Sequence, residues 1–398
     1  MADAAAPVLK TDPVKNTRDV YFVNPVVDVL IAGGGLSILF FVVVVVLGWG
    51  PWGAKAYDRP QWAWQTASIL AFVVNYPHFA ATNFRLYQSF DRMMQFPKTS
   101  FLSPVVVVAG LCAALVDVTF AQWYCKLFLT WSGYHFCAQT KGIALLYARR
   151  LGIQIDSVSR LLIVIACHTP WLYATVNSET FENLGPFYSV TVPRGLPWFS
   201  LAGGLHFSPI GLPVAWSETV QLIAKVIFWS GCGSIGLLVT KTLATQGRVL
   251  PLAVLMPVFA QTLWFGPQGA GSRAFNEFVP FFHSLQYMII AWLFQLKEES
   301  AQVGFFPAVD TVVWETVKWF AFIVFGGVLL FVIWPHAIGW RGYSLEHSLA
   351  CVNAAIQIHH FFVDGVIWKI RDPRTRAMLG GNLLDLAGIQ RIRTILPT

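Results

Sequence analysis

From Asn353 to Arg376 the chain reads NAAIQIHHFFVDGVIWKIRDPRTR. An apolar run here carries two adjacent histidines and an aspartate, then ends in Arg371, Arg374 and Arg376. Ionisable groups at that depth in a hydrophobic helix are costly, and they face a bundle interior where partners are available. Asn353, Gln357, His360 and Asp364 recur at spacings of four, three and four, which puts them on one stripe of an α-helix. His359 lies about 100° to the side of that stripe.

The rest of the chain is of the same kind. Its 398 residues are 56% hydrophobic and 12% charged, against a charged share of about 25% in soluble domains. The expected fold is an all-α, polytopic integral membrane bundle of about ten transmembrane helices. The ten apolar stretches are 26–49, 62–85, 102–119, 121–147, 158–176, 216–244, 249–266, 275–296, 313–335 and 347–369. The third and fourth are weakly separated and read as a hairpin turning near Gln122. Residues 177–215, rich in Gly, Pro and Ser, are expected to form a long extracytoplasmic loop with a short interfacial helix.

Lys and Arg concentrate on alternate connections. Arg85, Arg92, Lys98, Arg149, Arg150 and Lys241 fall on one side, while Lys55, Arg59 and Arg194 are among the few on the other. This bias places both termini in the cytoplasm. Residues 1–25 read as an N-terminal tail without the apolar core of a signal peptide, and 371–398 as a C-terminal tail along the headgroups. Tryptophans near span ends, Trp334, Trp340 and Trp368 among them, suit interfacial belts. The net charge of +7 follows from the cytoplasmic loops and implies no nucleic-acid partner. The partners are membrane lipid and a lipophilic small molecule, and the expected location is a bacterial inner membrane. Six cysteines without CxxC spacing read as small core residues.

Four more spans carry histidine. Asn75, His78, Thr82 and Arg85 share a stripe, as do Ser132, His135, Gln139 and Gly142. In the eighth span Asn276, Pro280, His283 and Tyr287 align, and the fifth contains His168 beside Pro170, a residue that could open a bend. Arg85 is expected to snorkel to the headgroups. Imidazoles at membrane depth ligate metal or haem, relay protons or bond between helices. Six of them on five helices point to a shared centre with His78, His135, His283, His359 and His360 as ligands. His168, Asp364, Gln139, Asn75, Tyr287 and Glu277 are the orienting groups or alternative ligands. Asp364 could ligate beside His360, accept its second ring N–H, or pair with Lys369, Arg371 or Arg85. Imidazoles with one carboxylate suit non-haem Fe(II), with copper or zinc also possible. Such an iron, beside an apolar pocket, would serve an oxygenase acting on a lipophilic substrate. Two other readings of the same residues are a haem protein of electron transfer or quinone chemistry, and a proton-coupled transporter with Asp28, Asp117 and Asp364 on its path.

Taken together, YHFCAQ, PFFHSLQY and IHHFFVDG resemble segments of the Brp/Blh family of bacterial and archaeal membrane β-carotene 15,15′-dioxygenases. The resemblance is confined to these histidine-bearing segments. It implies a polytopic enzyme that holds iron with histidines from several helices and cleaves a carotenoid. Carried over by position, His78, His135 and His283 are the implied iron ligands, and the HHFFVD pair has no counterpart. Around His78 the chain has NYPHFAAT where the family has an HGxxD-like signature.

Overall fold

A computed structural model describes residues 21–48, 61–176, 200–201, 205–206, 217–303, 309–369, 375 and 379. Those residues are almost entirely helical; the exception is a two-residue antiparallel pairing of Ser200–Leu201 with Leu205–His206. Most of the expected tails and of the 177–215 loop, with its interfacial helix, lies outside the described residues.

The helices run α1 (Pro25–Ala32), α2 (Gly35–Val46), α3 (residues 61–87), α4 (Phe90–Gln95), α5 (Lys98–Val116), α6 (Val118–Arg150) and α7 (Ser157–Val176). They continue with α8 (Ser217–Gln246), α9 (Leu252–Phe265), the short α10 (Pro267–Gly271) and α11 (Arg273–Asn276), α12 (Val279–Val303), α13 (residues 309–339) and α14 (Leu345–Ile367). By length and composition five helical segments can cross a membrane: Lys98–Val116, Leu222–Gln246, Ala274–Ser300, Asp310–Gly339 and Leu345–Ile367. The pair α1 and α2 makes a sixth if counted as one span.

Burial sorts these spans. The windows in Ala274–Ser300 and Leu345–Ile367 are 72% and 67% buried, whereas the other three are 22–28% buried. Hence α12 and α14 form the centre of the bundle, and α5, α8 and α13 present Val, Leu, Phe and Trp outward in the manner of lipid-facing helices. Around the central pair, α5, α6 and α14 share an apolar core through Tyr124, Phe128 and Cys351. On the other flank α3, α12 and α13 meet at Ala80, Tyr287 and Ile323. Helices α6 and α14 run parallel, since Cys125 contacts the Ala350 carbonyl at one level and His135 meets His360 ten residues further along each helix.

Several local expectations are revised. The span expected over 26–49 is bent by 61° between α1 and α2. Gly34 turns there with φ of 74°, and a Cβ would stand 2.7 Å from that of Ala260; glycine alone meets both demands. The hairpin turn falls at Asp117 rather than Gln122, because the Asp117 carboxylate accepts the Thr119 and Phe120 N–H groups at 2.7 and 3.1 Å and caps α6. Pro170 sits inside a continuous α7. Of the cysteines, Cys125, Cys137, Cys167 and Cys351 are buried as expected, while Cys112 is exposed.

Asp28 has a structural role. It is 1% exposed and accepts the N–H groups of Phe22 and Val23 and the Tyr147 hydroxyl, tying the segment before α1 to α6. Replacing Asp28 by Ala would leave three donors without it, two of them buried, at roughly 1–3 kcal/mol for each buried one. We expect Asp28→Ala to lower the thermal unfolding midpoint in detergent markedly, with Asp28→Asn intermediate and Tyr147→Phe mildest. Equal midpoints for wild type and Asp28→Ala would remove this role.

Candidate metal centre

Three imidazoles and one carboxylate from three helices meet in the bundle centre. His78 comes from α3, His135 from α6, and His360 and Asp364 from successive turns of α14; their ligand atoms all lie within 4.8 Å of one another. The local sequence explains the aim of each ring. In α3 a π-helical turn, Ala71–Asn75, precedes Pro77 and re-phases the helix just before His78. In α14 the i, i+4 spacing brings Asp364 under His360.

The nitrogen separations are compatible with a shared ion. His360 Nε2 stands 3.0 Å from His78 Nε2 and 3.2 Å from His135 Nε2. Two nitrogens bound cis to one ion at about 2.1 Å are separated by roughly 3.0–3.4 Å. A neutral ring nitrogen has one in-plane direction, holding either a proton or a lone pair. His360 Nε2 therefore cannot make good hydrogen bonds to both neighbours, but all three lone pairs can share one cation. Asp364 Oδ2 lies 3.6 Å from Nε2 of both His135 and His360, a few tenths of an ångström beyond such an edge.

The two oxygens of Asp364 divide their work. Oδ1 accepts from Thr82 Oγ1 and Trp368 Nε1, both at 3.2 Å, which leaves Oδ2 facing the imidazoles. Thr82 is in turn 2.7 Å from the Tyr287 hydroxyl, and the Tyr287 ring packs edge-on to His78 at 4.1 Å. Tyr287 can thus donate to Thr82 and Thr82 to the carboxylate. Trp368 also forms one side of a cation–π pair with Arg85, whose guanidinium carbon is 3.1 Å from the Phe294 ring centroid and 4.3 Å from that of Trp368. Arg85 is buried, not snorkelling, and Trp368 belongs to the centre's surroundings rather than to an interfacial belt. The Nδ1 atoms of His78 and His360 are buried without a protein partner among the described residues. Phe79 packs against both rings instead, at 5.1 and 4.6 Å.

The remaining sequence candidates take other places. His283 stacks flat on Phe136 at 3.8 Å, and its ring lies 5.1 Å from that of His135 and 5.5 Å from that of His78; it is not among the four grouped residues. Both His283 nitrogens are buried without a hydrogen-bond partner among the described residues, and the residue lines a cavity of about 80 Å³ that also borders His78, His135, His360, Asn75 and Asn276. Gln139 donates to the His283 carbonyl at 2.9 Å, joining α6 to α12. His359, one residue from His360, points about 100° away and meets the Tyr87 hydroxyl at 3.1 Å. His168 donates to the Val164 carbonyl at 2.8 Å and lies against Tyr134. Glu277 is buried in the turn after α11, outside the group. The sequence suggested only an interfacial belt for Trp368, although it follows Asp364 by four residues on the same stripe. Thr82 was in a stripe, yet without a partner in view it carried no role.

No family model, curated protein or solved structure matches this chain. The buried group of His78, His135, His360 and Asp364 could hold a metal ion, and the apolar helices mark an integral membrane protein in contact with lipid.

We expect the purified protein to carry about one divalent ion per chain. His78→Ala, His135→Ala or His360→Ala should each cut that content at least tenfold, with His359→Ala and His168→Ala close to wild type. Thr82→Val, which frees Asp364, should weaken metal affinity about 10–100-fold, the usual effect of losing an orienting partner. Elemental analysis after dialysis against a weak chelator reads all of these.

Proposed function

We propose that this chain is an integral-membrane oxygenase that holds one non-haem Fe(II) through His78, His135, His360 and Asp364 and acts on a lipophilic, carotenoid- or lipid-like substrate. The observation that carries the reading is His360 Nε2 at 3.0 and 3.2 Å from the Nε2 atoms of His78 and His135, with a carboxylate oxygen 3.6 Å away and a cavity alongside. Neutral imidazoles with one carboxylate are the ligand type of oxygen-activating iron sites. The likeness of YHFCAQ, PFFHSLQY and IHHFFVDG to Brp/Blh segments supports the same reading. A bound iron would supply a redox-active Lewis acid with positions left open for dioxygen.

The protein's own residues then do three things. The aromatic walls, including Phe79, Phe136 and Phe361, keep water from the centre and favour an apolar guest. Asp364, fixed by Thr82 and Trp368, balances part of the charge of the ion. His283, with two unbonded nitrogens on the cavity wall, is placed to hydrogen-bond to a polar atom of the bound molecule.

A haem alternative is less well supported. Axial ligands lie about 4 Å apart with a porphyrin between them, and rings whose centroids are 4.5 and 4.8 Å apart leave no slot for the macrocycle. Ten spans with both termini cytoplasmic remain the topology we propose, on the charge bias of the connections.

The deciding experiment loads the protein in lipid nanodiscs with Fe(II) and follows oxygen uptake with β-carotene and with extracted membrane lipids. Iron-dependent uptake, and no Soret absorption in the purified protein, is the expected result. His283→Ala should keep its iron within twofold yet turn over at least tenfold more slowly. Stoichiometric zinc with no oxygen uptake on any lipophile would overturn the oxygenase reading. Cytoplasmic reporters fused at residues 1 and 398 should both be active; a silent reporter at either end would sink the even span count.

A further inference from the structure

A second cavity, of about 410 Å³, adjoins the metal centre on another side and shares His135 and Asp364 with it. That volume is in the range of sites for drug-sized ligands, about 300–1,000 Å³. Its walls are mainly apolar, with Leu146, Ile290 and Phe361 among them. Two cationic side chains also line it, Lys141 of α6 and Lys369 just after α14. Because α6 and α14 are parallel, both lysines lie toward the same end, on the order of 10 Å beyond the centre at 1.5 Å per residue. Neither makes an ion pair or hydrogen bond among the described residues.

The glycines of this wall give a second, independent sign. Gly142 and Gly365, on α6 and α14, both line this cavity, and glycine inside a helix costs about 1 kcal/mol relative to alanine. A Cβ added at either would meet nothing within 4 Å. A side chain at Gly142, which lines the cavity and borders open space, would take up part of the chamber, whereas Gly365 is exposed. An open apolar chamber with a reacting group at one end and two free ammonium groups at the other is shaped for one kind of molecule.

We infer that this cavity binds a long-chain amphiphile with a single anionic head, the head between Lys141 and Lys369 and the tail directed toward His135 and Asp364. The inference narrows the substrate class of the oxygenase reading and rests on that reading only in calling the ligand a substrate. A carboxylate and a phosphate monoester share the required chemistry.

The test measures equilibrium binding of radiolabelled oleate, oleyl phosphate and oleyl alcohol to the full-length protein in an uncharged detergent. One saturable equivalent of oleate or oleyl phosphate per chain, bound at least tenfold more tightly than the alcohol, is expected; whichever anion binds more tightly identifies the head. The double variant Lys141→Met/Lys369→Met should bring the anions to the level of the alcohol, and Lys141→Arg/Lys369→Arg should preserve the preference. Gly142→Leu, which fills the chamber, should reduce oleate binding at least tenfold while elution volume and metal content stay unchanged. Equal binding of oleate and oleyl alcohol by the wild-type protein would overturn the inference, whatever the variants do. So would undiminished oleate binding by Gly142→Leu. Metal analysis of the same samples separates the two readings: oleate binding by a metal-free protein retires the oxygenase and leaves this site standing, and a metal-loaded protein indifferent to head charge does the reverse.

Discussion

The constraint on which the structure depends is the cost of leaving a polar group without a partner where there is no water to replace it. A chain that keeps histidine, asparagine, glutamine and aspartate in its membrane helices has to turn them toward one another. That requirement separates helices by composition as well as by place. The windows of α12 and α14 have a mean hydropathy of 1.2 and are mostly buried, while those of α5 and α13, at 2.2, are mostly exposed. The bundle is thus arranged as a solvent series, with lipid outside, apolar helices at the rim and a polar seam at the centre.

Within that seam, order passes outward in steps from Asp364. One oxygen faces the imidazoles and the other is occupied by Thr82 and Trp368. Thr82 reaches Tyr287, whose ring braces His78, and Trp368 covers the guanidinium of Arg85 against Phe294. The carboxylate is therefore positioned by groups from α3, α12 and α14 together. Burying Arg85 is tolerable because two aromatic faces replace part of its hydration, and the same packing prevents the Trp368 indole from rotating away from Asp364.

Much of this was legible in the sequence, because helical phase is a reliable guide to which side of a span faces inward. The stripe Asn353, Gln357, His360, Asp364 borders the cavities or joins the metal group as its spacing implies, and His359 leaves it by the 100° that separates neighbours. What phase could not supply was the partner on another helix. Nothing local to His283 says that Phe136 will hold its ring flat, and nothing local to Arg85 says that Phe294 and Trp368 will enclose it. Three consecutive glycines stand at the bend, but the close approach of Ala260, far away in the chain, has no local signature. The turn at Asp117 was within reach, since an aspartate two residues before a threonine is a common helix cap.

The order of the ligands along the chain has a consequence for biosynthesis. His78 and His135 belong to the first half of the sequence, but His360 and Asp364 lie on α14, which is translated after every other helix named above. A ribosome-bound chain that has exposed its first two imidazoles holds half a site in the translocon's surroundings, with no carboxylate to complete it. The group is complete only once α14, one of the least apolar of the spans, has entered the bilayer by docking on helices already there. Assembly of the four-residue group thus follows the insertion of α14, and a chain truncated before that helix would carry only two of its four members.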